Sequence, residues 1–162
     1  MSHTHQTALV WFRRDLRLAD NPALTHALSE ARNVIPVFIH APDEEAPWSP
    51  GAASLWWLHH SLASLSRDIA GLGGRLILRQ GASLACLQQL ISETSATLVC
   101  WNRVYEPACI VRDTNIKRVL KDQAIECSSH NAALLFEPWQ VRTQQDKPFR
   151  VFTPFWKHCQ TR

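Results

Sequence analysis

Three arginines, two aspartates and an asparagine crowd one loop: Arg13, Arg14, Asp15, Arg17, Asp20 and Asn21 follow directly on the apolar run ALVWF at 8–12. A guanidinium is a rigid fork of donors that matches planar acceptors. Such a loop has two chemical uses. It closes on itself through ion pairs with Asp15 and Asp20, or it meets the acceptors of a planar polar ligand. A second group stands in CWNRVYEP, where Asn102, Tyr105 and Glu106 follow the apolar run TLVCW at 97–101. An amide, a phenol and a carboxylate beside arginine suit a flat heterocycle with several donors and acceptors. The same residues suit a plain turn leading into a helix at Pro107.

What the loops lack is as informative. A dinucleotide turn needs glycines so that the backbone can approach a pyrophosphate, and the loop after ALVWF has none. The phosphate-cradling patterns GxxxxGK[ST] and HxGH are missing too. GLGG at 71–74 lies between a helix-like and a strand-like segment, the wrong order for either motif. These gaps disfavour nicotinamide chemistry, ATP hydrolysis and a nucleotide-binding transferase using ATP at the first loop.

Strand-like and helix-like segments alternate around these loops. ALVWF, VIPVFI (34–39), RLILR (75–79), TLVCW and IECSSH (125–130) read as strands, with Pro36 tolerable only at an edge or bend. PALTHALSEA (22–31) reads as a helix with Asn21 or Asp20 as its cap and Pro22 in its first turn. Leu55, Leu58, Leu62, Leu65, Ile69 and Leu72 recur at steps of three and four, marking one face of a long helix that Gly71, Gly73 and Gly74 end. Helices are also expected at 83–94, with Ser83 as a cap, and at 109–123. Apolar strands separated by helices predict parallel pairing with helices on both faces. PWSPG at 47–51 is a loop. After Asn131 the texture changes to prolines and aromatics without a clean period.

The 162 residues suffice for one domain, and 46% hydrophobic with 19% charged residues is a globular composition. A net charge of +3 is too mild for a stand-alone nucleic-acid binder. Five cysteines without a CxxC pair argue against a disulfide framework or structural zinc, fit a reducing cytoplasm, and leave no metal site expected. No apolar run is long enough for a membrane span or a signal peptide. His3 and His5 are expected in a disordered tail over 1–7. The adjacent His59 and His60 diverge on a helix, beside Trp56 and Trp57. Cys109 lies beside a helix start, a place that lowers a thiol's pKa, yet no histidine neighbours it to make a nucleophile. Lys117, Arg118 and Lys121 form a basic helical face that is expected to be solvated.

The stretches VWFRRDLRLADNPAL, WNRVYEP with RD at 112–113, and PFRVFTPFWK at 148–157 resemble DNA photolyases and cryptochromes in order and spacing, from about Thr7 to the last residue. The chain is similar to the N-terminal α/β antenna domain of a bacterial class I cyclobutane pyrimidine dimer photolyase. The resemblance implies a five-stranded parallel sheet, Rossmann-like without the glycine fingerprint, over 8–131. It implies a connector over 132–162 toward a C-terminal helical domain beyond this chain, which would bind FAD, the dimer and most of the UV-damaged DNA. It also implies repair by blue-light-driven electron transfer from reduced FAD, with no catalytic residue in this stretch, so that the fragment alone is expected to be inactive. A cryptochrome photoreceptor shares this half.

The resemblance also marks Arg13, Phe38, Ile39, His40 and Glu106, which with Asn102 and Tyr105 from the residues themselves make up a candidate antenna pocket. Val104 stands where a deazaflavin-binding pattern has an acidic residue. Ala108 and Cys109 stand where folate-antenna relatives have an Asn-Glu pair. The antenna type, whether folate, deazaflavin or flavin, is therefore left open. The family's electron-transfer tryptophans lie outside this stretch, so the seven tryptophans here are expected in the core and at an interface. Exposed aromatics in the connector predict concentration-dependent self-association.

Overall fold

A computed structural model describes residues 3–45 and 49–161, which fall into two compact units divided after Ala132. Pro47 and Trp48 of the expected loop lie outside the described residues. The first unit alternates β1 (His5–Phe12), α1 (Pro22–Glu30), β2 (Ala31–His40), a short 3-10 turn at Pro42–Glu45, α2 (Ala52–Gly71), β3 (Ile77–Gln80), α3 (Ser83–Thr94), β4 (Leu98–Asn102), α4 (Pro107–Asp122) and β5 (Glu126–His130). All five strands are parallel, in the order β3-β2-β1-β4-β5.

Side chains alternate across a strand, and here both sides are buried. Ala8, Val10 and Phe12 of β1 pack with Ala23 and Ala27 of α1 and with Leu65 and Ile69 of α2. Leu9 and Trp11 point the other way, to Cys86, Leu87 and Leu90 of α3 and to Ile116 and Leu120 of α4. Each large apolar side chain removed from water in this way stabilises the fold by about 1.5–3 kcal/mol. Two-sided burial explains why β1 and β4 carry so few polar residues. Pro36 sits in β2 opposite Val10 of β1, whereas β3 joins β2 only from Val37 onward. On that side the proline has no neighbouring strand to disappoint.

The structure corrects several expectations. Residues 5–7 are strand, not disordered tail: His5 pairs with Ala31 and Thr7 with Asn33, and His5 Nδ1 lies 2.9 Å from Thr97 Oγ1. Extending the alternation by three residues lets Thr7 bury its side chain against the sheet. The α2 stripe is graded. Leu65 and Ile69 are buried, Leu58 and Leu62 half-buried, and Leu55 and Leu72 exposed. Leu72 falls outside because the helix stops at Gly71. Gly74 N–H then donates to Ile69 C=O and Gly73 N–H to Ala70 C=O, with Gly73 at φ +81°. This is a Schellman closure, which needs a left-handed residue.

Lys117 is not solvated either. Its Nζ donates to Ser129 Oγ at 2.6 Å and lies 5.5 Å from the Trp101 ring centre, and burial pulls its pKa below the ordinary lysine value. Arg118 and Lys121 are exposed as expected.

The second unit, from Ala133, holds α5 (Phe152–Gln160). Phe152, Phe155, Trp156 and Cys159 share one face of it, with Cys159 buried and Phe152 and Trp156 exposed and stacked 6.2 Å apart. Pro154 is accommodated because it falls in the first turn, where no intrahelical donor is lost. Among the described residues no helix is long and apolar enough to cross a membrane.

Candidate functional site

The strand order reverses between β1 and β4, so a crevice opens beyond their carboxyl ends. Arg13 follows β1 into it. The Arg13 guanidinium is buried, donates to Asp113 Oδ2 at 2.7 Å and donates to the Asn102 carbonyl. Burial lowers its pKa, while Asp113 opposes that shift, so the guanidinium keeps its charge. Backbone N–H of Arg13 donates to Asp15 Oδ1 at 2.9 Å, which folds the loop back on its own start.

Asn102, at the end of β4, ties that loop to α1. Its Nδ2 donates to Asp15 Oδ2 at 2.5 Å and to Asn21 Oδ1 at 2.7 Å, and its Oδ1 accepts from Ala23 N–H at 3.1 Å. Asn21 Oδ1 in turn accepts from Leu24 N–H at 3.1 Å, the cap expected from sequence. Arg17 donates to the carbonyls of Asp20 and Ala132, and Arg14 pairs with Glu106. Of the expected pairings within the loop only Arg17 with Asp20 forms, while Arg13 and Arg14 pair with Asp113 and Glu106 outside it. The forks are engaged within the protein.

The opposite rim is built by residues whose role the sequence reading missed. Glu44, in the 3-10 turn after β2, accepts from Ser83 N–H at 2.7 Å and from Ser83 Oγ at 2.5 Å, and lies 3.6 Å from Arg112 Nη1. Ser83 is therefore not its own helix's cap. Ala82 holds the cap position, and the carboxylate of Glu44 serves the first turn of α3 from 39 residues away. Arg112 also pairs with Asp113 at 3.0 Å. One largely buried polar run, Ser83–Glu44–Arg112–Asp113–Arg13, links α3, the 3-10 turn, α4 and the loop after β1.

These groups surround a cleft of about 650 Å³, a size that suits a small molecule. Trp11, Phe38 and Ile39 form its apolar floor, and Trp57 and Leu58 of α2 stand on one side. Two buried donors belonging to its lining, Arg13 Nε and Trp11 Nε1, have no partner among the described residues. Of the candidate pocket, Arg13, Phe38 and Ile39 line this cleft. His40 instead joins Phe38 in a second groove of about 440 Å³ with Leu55, His59 and Leu78. Asn102 is buried beneath the crevice. Tyr105 and Glu106 do not line it, and the Glu106 carbonyl accepts from Ile110 N–H as α4 begins. The only sequence signal for the missing members was the RD pair at 112–113.

Cys109 lines the cleft, but burial raises its thiol pKa, the reverse of what its helix-start position suggested. The same cause pushes Cys100 up to about 12 and Cys127 to about 11. No group of three or more potential metal ligands occurs among the described residues.

The strand order, the switch between β1 and β4 and the glycine-free crevice define a doubly wound α/β domain that does not seat a diphosphate by the usual glycine turn. The sequence matches the DNA photolyase family over residues 8–162, and the chain belongs to that family. It is 43% identical to cryptochrome-2 of Arabidopsis thaliana over 152 residues, which cover 93% of this chain and 25% of that protein. Its fold is similar to the crystal structure of a bacterial class III photolyase from Agrobacterium tumefaciens, with a TM-score of 0.89 and 42% identity, covering 100% of this chain and 33% of that one. It is also similar to an archaeal photolyase from Sulfolobus tokodaii solved with two FAD molecules, with a TM-score of 0.74 and 28% identity over 94% of this chain and 34% of that one. The chain thus spans a quarter to a third of the length of these relatives. The class I assignment is narrower than these likenesses, which include a class III photolyase and a cryptochrome.

Proposed function

We propose that the cleft at the switch point holds a flat light-absorbing chromophore, and that this chain is the light-harvesting part of a longer photolyase. The observation that carries this reading is the floor of Trp11, Phe38 and Ile39, combined with the unpartnered donors of Arg13 and Trp11. An aromatic floor suits a planar ring system, and two buried donors suit its carbonyl or ring-nitrogen edge. A ring of the folate, deazaflavin or flavin class fits that donor set. The Sulfolobus tokodaii relative, with its two FAD molecules, favours the flavin class.

When bound, such a group supplies absorption of blue light and transfer of the excitation to a second flavin. This chain's residues orient the ring and exclude water. In the longer cytoplasmic protein a helical domain would hold reduced FAD, bind UV-damaged DNA and donate the electron that opens a cyclobutane pyrimidine dimer. The likeness to cryptochrome-2 supports a second reading, in which the same light-harvesting half serves a blue-light receptor.

The test is an absorption spectrum of the purified chain, followed by titration with riboflavin, a methenyl-folate and a deazaflavin. A visible band, or uptake of one of them at micromolar concentration, is expected, and Phe38→Asp abolishes it. A colourless chain that takes up none of the three overturns the chromophore reading. Dimer repair by the longer protein under blue light separates photolyase from receptor.

A further inference from the structure

We infer that Arg112 and Arg13 keep Trp11 from quenching a photoexcited ring system held in the cleft; this rests on the chromophore reading above. The cleft contains two indoles in opposite electrostatic settings. Trp57 stands on α2, 70% exposed, and among the described residues no cation lies over its ring. Trp11 lies in the floor, 2% exposed, with the Arg13 guanidinium carbon 4.8 Å and the Arg112 carbon 5.1 Å from its ring centre. Behind it, Trp101 meets Trp11 edge-on at 5.9 Å, and Lys117 Nζ lies 5.5 Å from the Trp101 ring centre. Three cations thus face two coupled indoles at the base of a site built for a flat ring.

A photoexcited planar heterocycle is a strong one-electron oxidant. Indole is the most readily oxidised ring on the cleft floor. The quenching step moves one electron from the Trp11 indole, which becomes a radical cation, to the excited ring, which is reduced by one electron. Return of that electron restores both partners and loses the excitation as heat, with no bond made or broken. A guanidinium on the indole face favours the neutral ring through its quadrupole and disfavours a positive charge placed there. Glu44 and Asp113 hold the Arg112 guanidinium in place. These carboxylates partly offset its field, so removing Arg112 alone takes that cation from Glu44, while Asp113 keeps Arg13, and turns the local field toward oxidation. The strand needs a large apolar side chain at position 11 to pack against Trp101, and the arginines make that side chain photochemically silent.

The test uses the 162-residue chain with riboflavin as probe and reads the fluorescence lifetime of the bound fraction. Trp57→Leu is expected to lengthen the lifetime, because that indole is bare. In the Trp57→Leu background, Trp11→Phe weakens riboflavin binding because an indole donor of the floor is lost, yet the lifetime of the bound fraction stays the same, whereas Arg112→Met speeds quenching about tenfold, the scale expected when one close charge is removed. Adding Trp11→Phe to Arg112→Met restores the long lifetime, and Arg112→Lys retains it. A several-fold longer lifetime from Trp11→Phe with both arginines present overturns the inference, and this arm does not require the Arg112→Met protein to fold. An unchanged lifetime in Arg112→Met with riboflavin bound overturns it too. Failure of riboflavin to bind at all counts instead against the chromophore reading, and removes this inference with it.

Discussion

The two walls of the cleft are built on opposite principles. On the β1, β4 and α4 side, Arg13, Asp15, Asn102 and Asp113 are buried or half-buried, and each meets at least two partners. On the α2 side, Trp57 faces solvent, and Leu58 is half-buried. A saturated polar network has one good geometry, because every rearrangement orphans a buried group. An apolar helix face tolerates many. On the proposed reading, the first wall fixes where a chromophore sits, and the second adapts to what it is.

Breaking the wired wall at its centre has the largest expected effect. Arg13→Met strips the Asn102 carbonyl of its buried donor and leaves Asp113 with Arg112 alone, at a cost of about 3–5 kcal/mol for two charge-assisted bonds. That is a large share of the stability of a domain this size. The check is the urea midpoint followed by circular dichroism. A loss below 1 kcal/mol would show that the network yields as easily as a surface pair.

Asn102→Ala comes next. It strips the Ala23 N–H of its acceptor and Asp15 and Asn21 of a donor, and about 2–3 kcal/mol is expected, since several polar groups lose partners at once. Glu44→Gln is smaller. It keeps one acceptor for Ser83 but removes the charge at the start of α3 and the pairing with Arg112, for about 1–2 kcal/mol. Hydrogen exchange distinguishes the two, with faster exchange at the α1 start in one variant and the α3 start in the other.

How far these residues could be read from sequence follows from the range of the forces involved. The strands of the sheet and the helices that cover it were legible because two-sided burial makes each strand a short continuous apolar run, while one-sided burial gives the helices a period of three to four. Arg13 was legible as the first polar residue after β1, and Asn21 as a cap, since both act within a few positions. Glu44 was not, because its partners Ser83 and Arg112 lie 39 and 68 positions away and nothing in PDEE marks one carboxylate over the next. Helix α5 was hidden because Pro154 and a run of aromatics obscured the spacing of 152, 155, 156 and 159. Residues alone left the arginines poised between ligand and ion pair. Geometry engages their terminal nitrogens within the protein and leaves Arg13 Nε for the proposed ligand, and family resemblance, not composition, carries the proposed light-driven chemistry.

A pH effect probes the far end of the wired side. Burial, with His26, Arg103 and Lys117 nearby, holds the His130 imidazole below its ordinary pKa. The unfolded chain therefore takes up that proton first as pH falls. The stability contributed by neutral His130 is complete above the unfolded value of about 6.5 and is lost as pH drops through the lower folded value. Urea midpoints between pH 7.5 and 5 should fall less steeply in His130→Gln. An unchanged slope would mean that the imidazole ionises as easily folded as unfolded.

The smallest effect on stability is the most telling about the adaptable wall. Trp57→Ser removes a side chain that is 70% exposed, so stability should shift by no more than about 0.5 kcal/mol. Ligand affinity should nevertheless weaken about tenfold, because an aromatic side of the cleft is lost while its floor stays intact. The wired wall predicts the reverse pattern, in which stability and affinity fall together. Riboflavin titration of Trp57→Ser and Asn102→Ala, with urea melts on the same samples, places each wall on its own axis. If Trp57→Ser lowered stability as much as affinity, α2 would be part of the rigid frame, and the division between a fixing wall and an adapting wall would collapse.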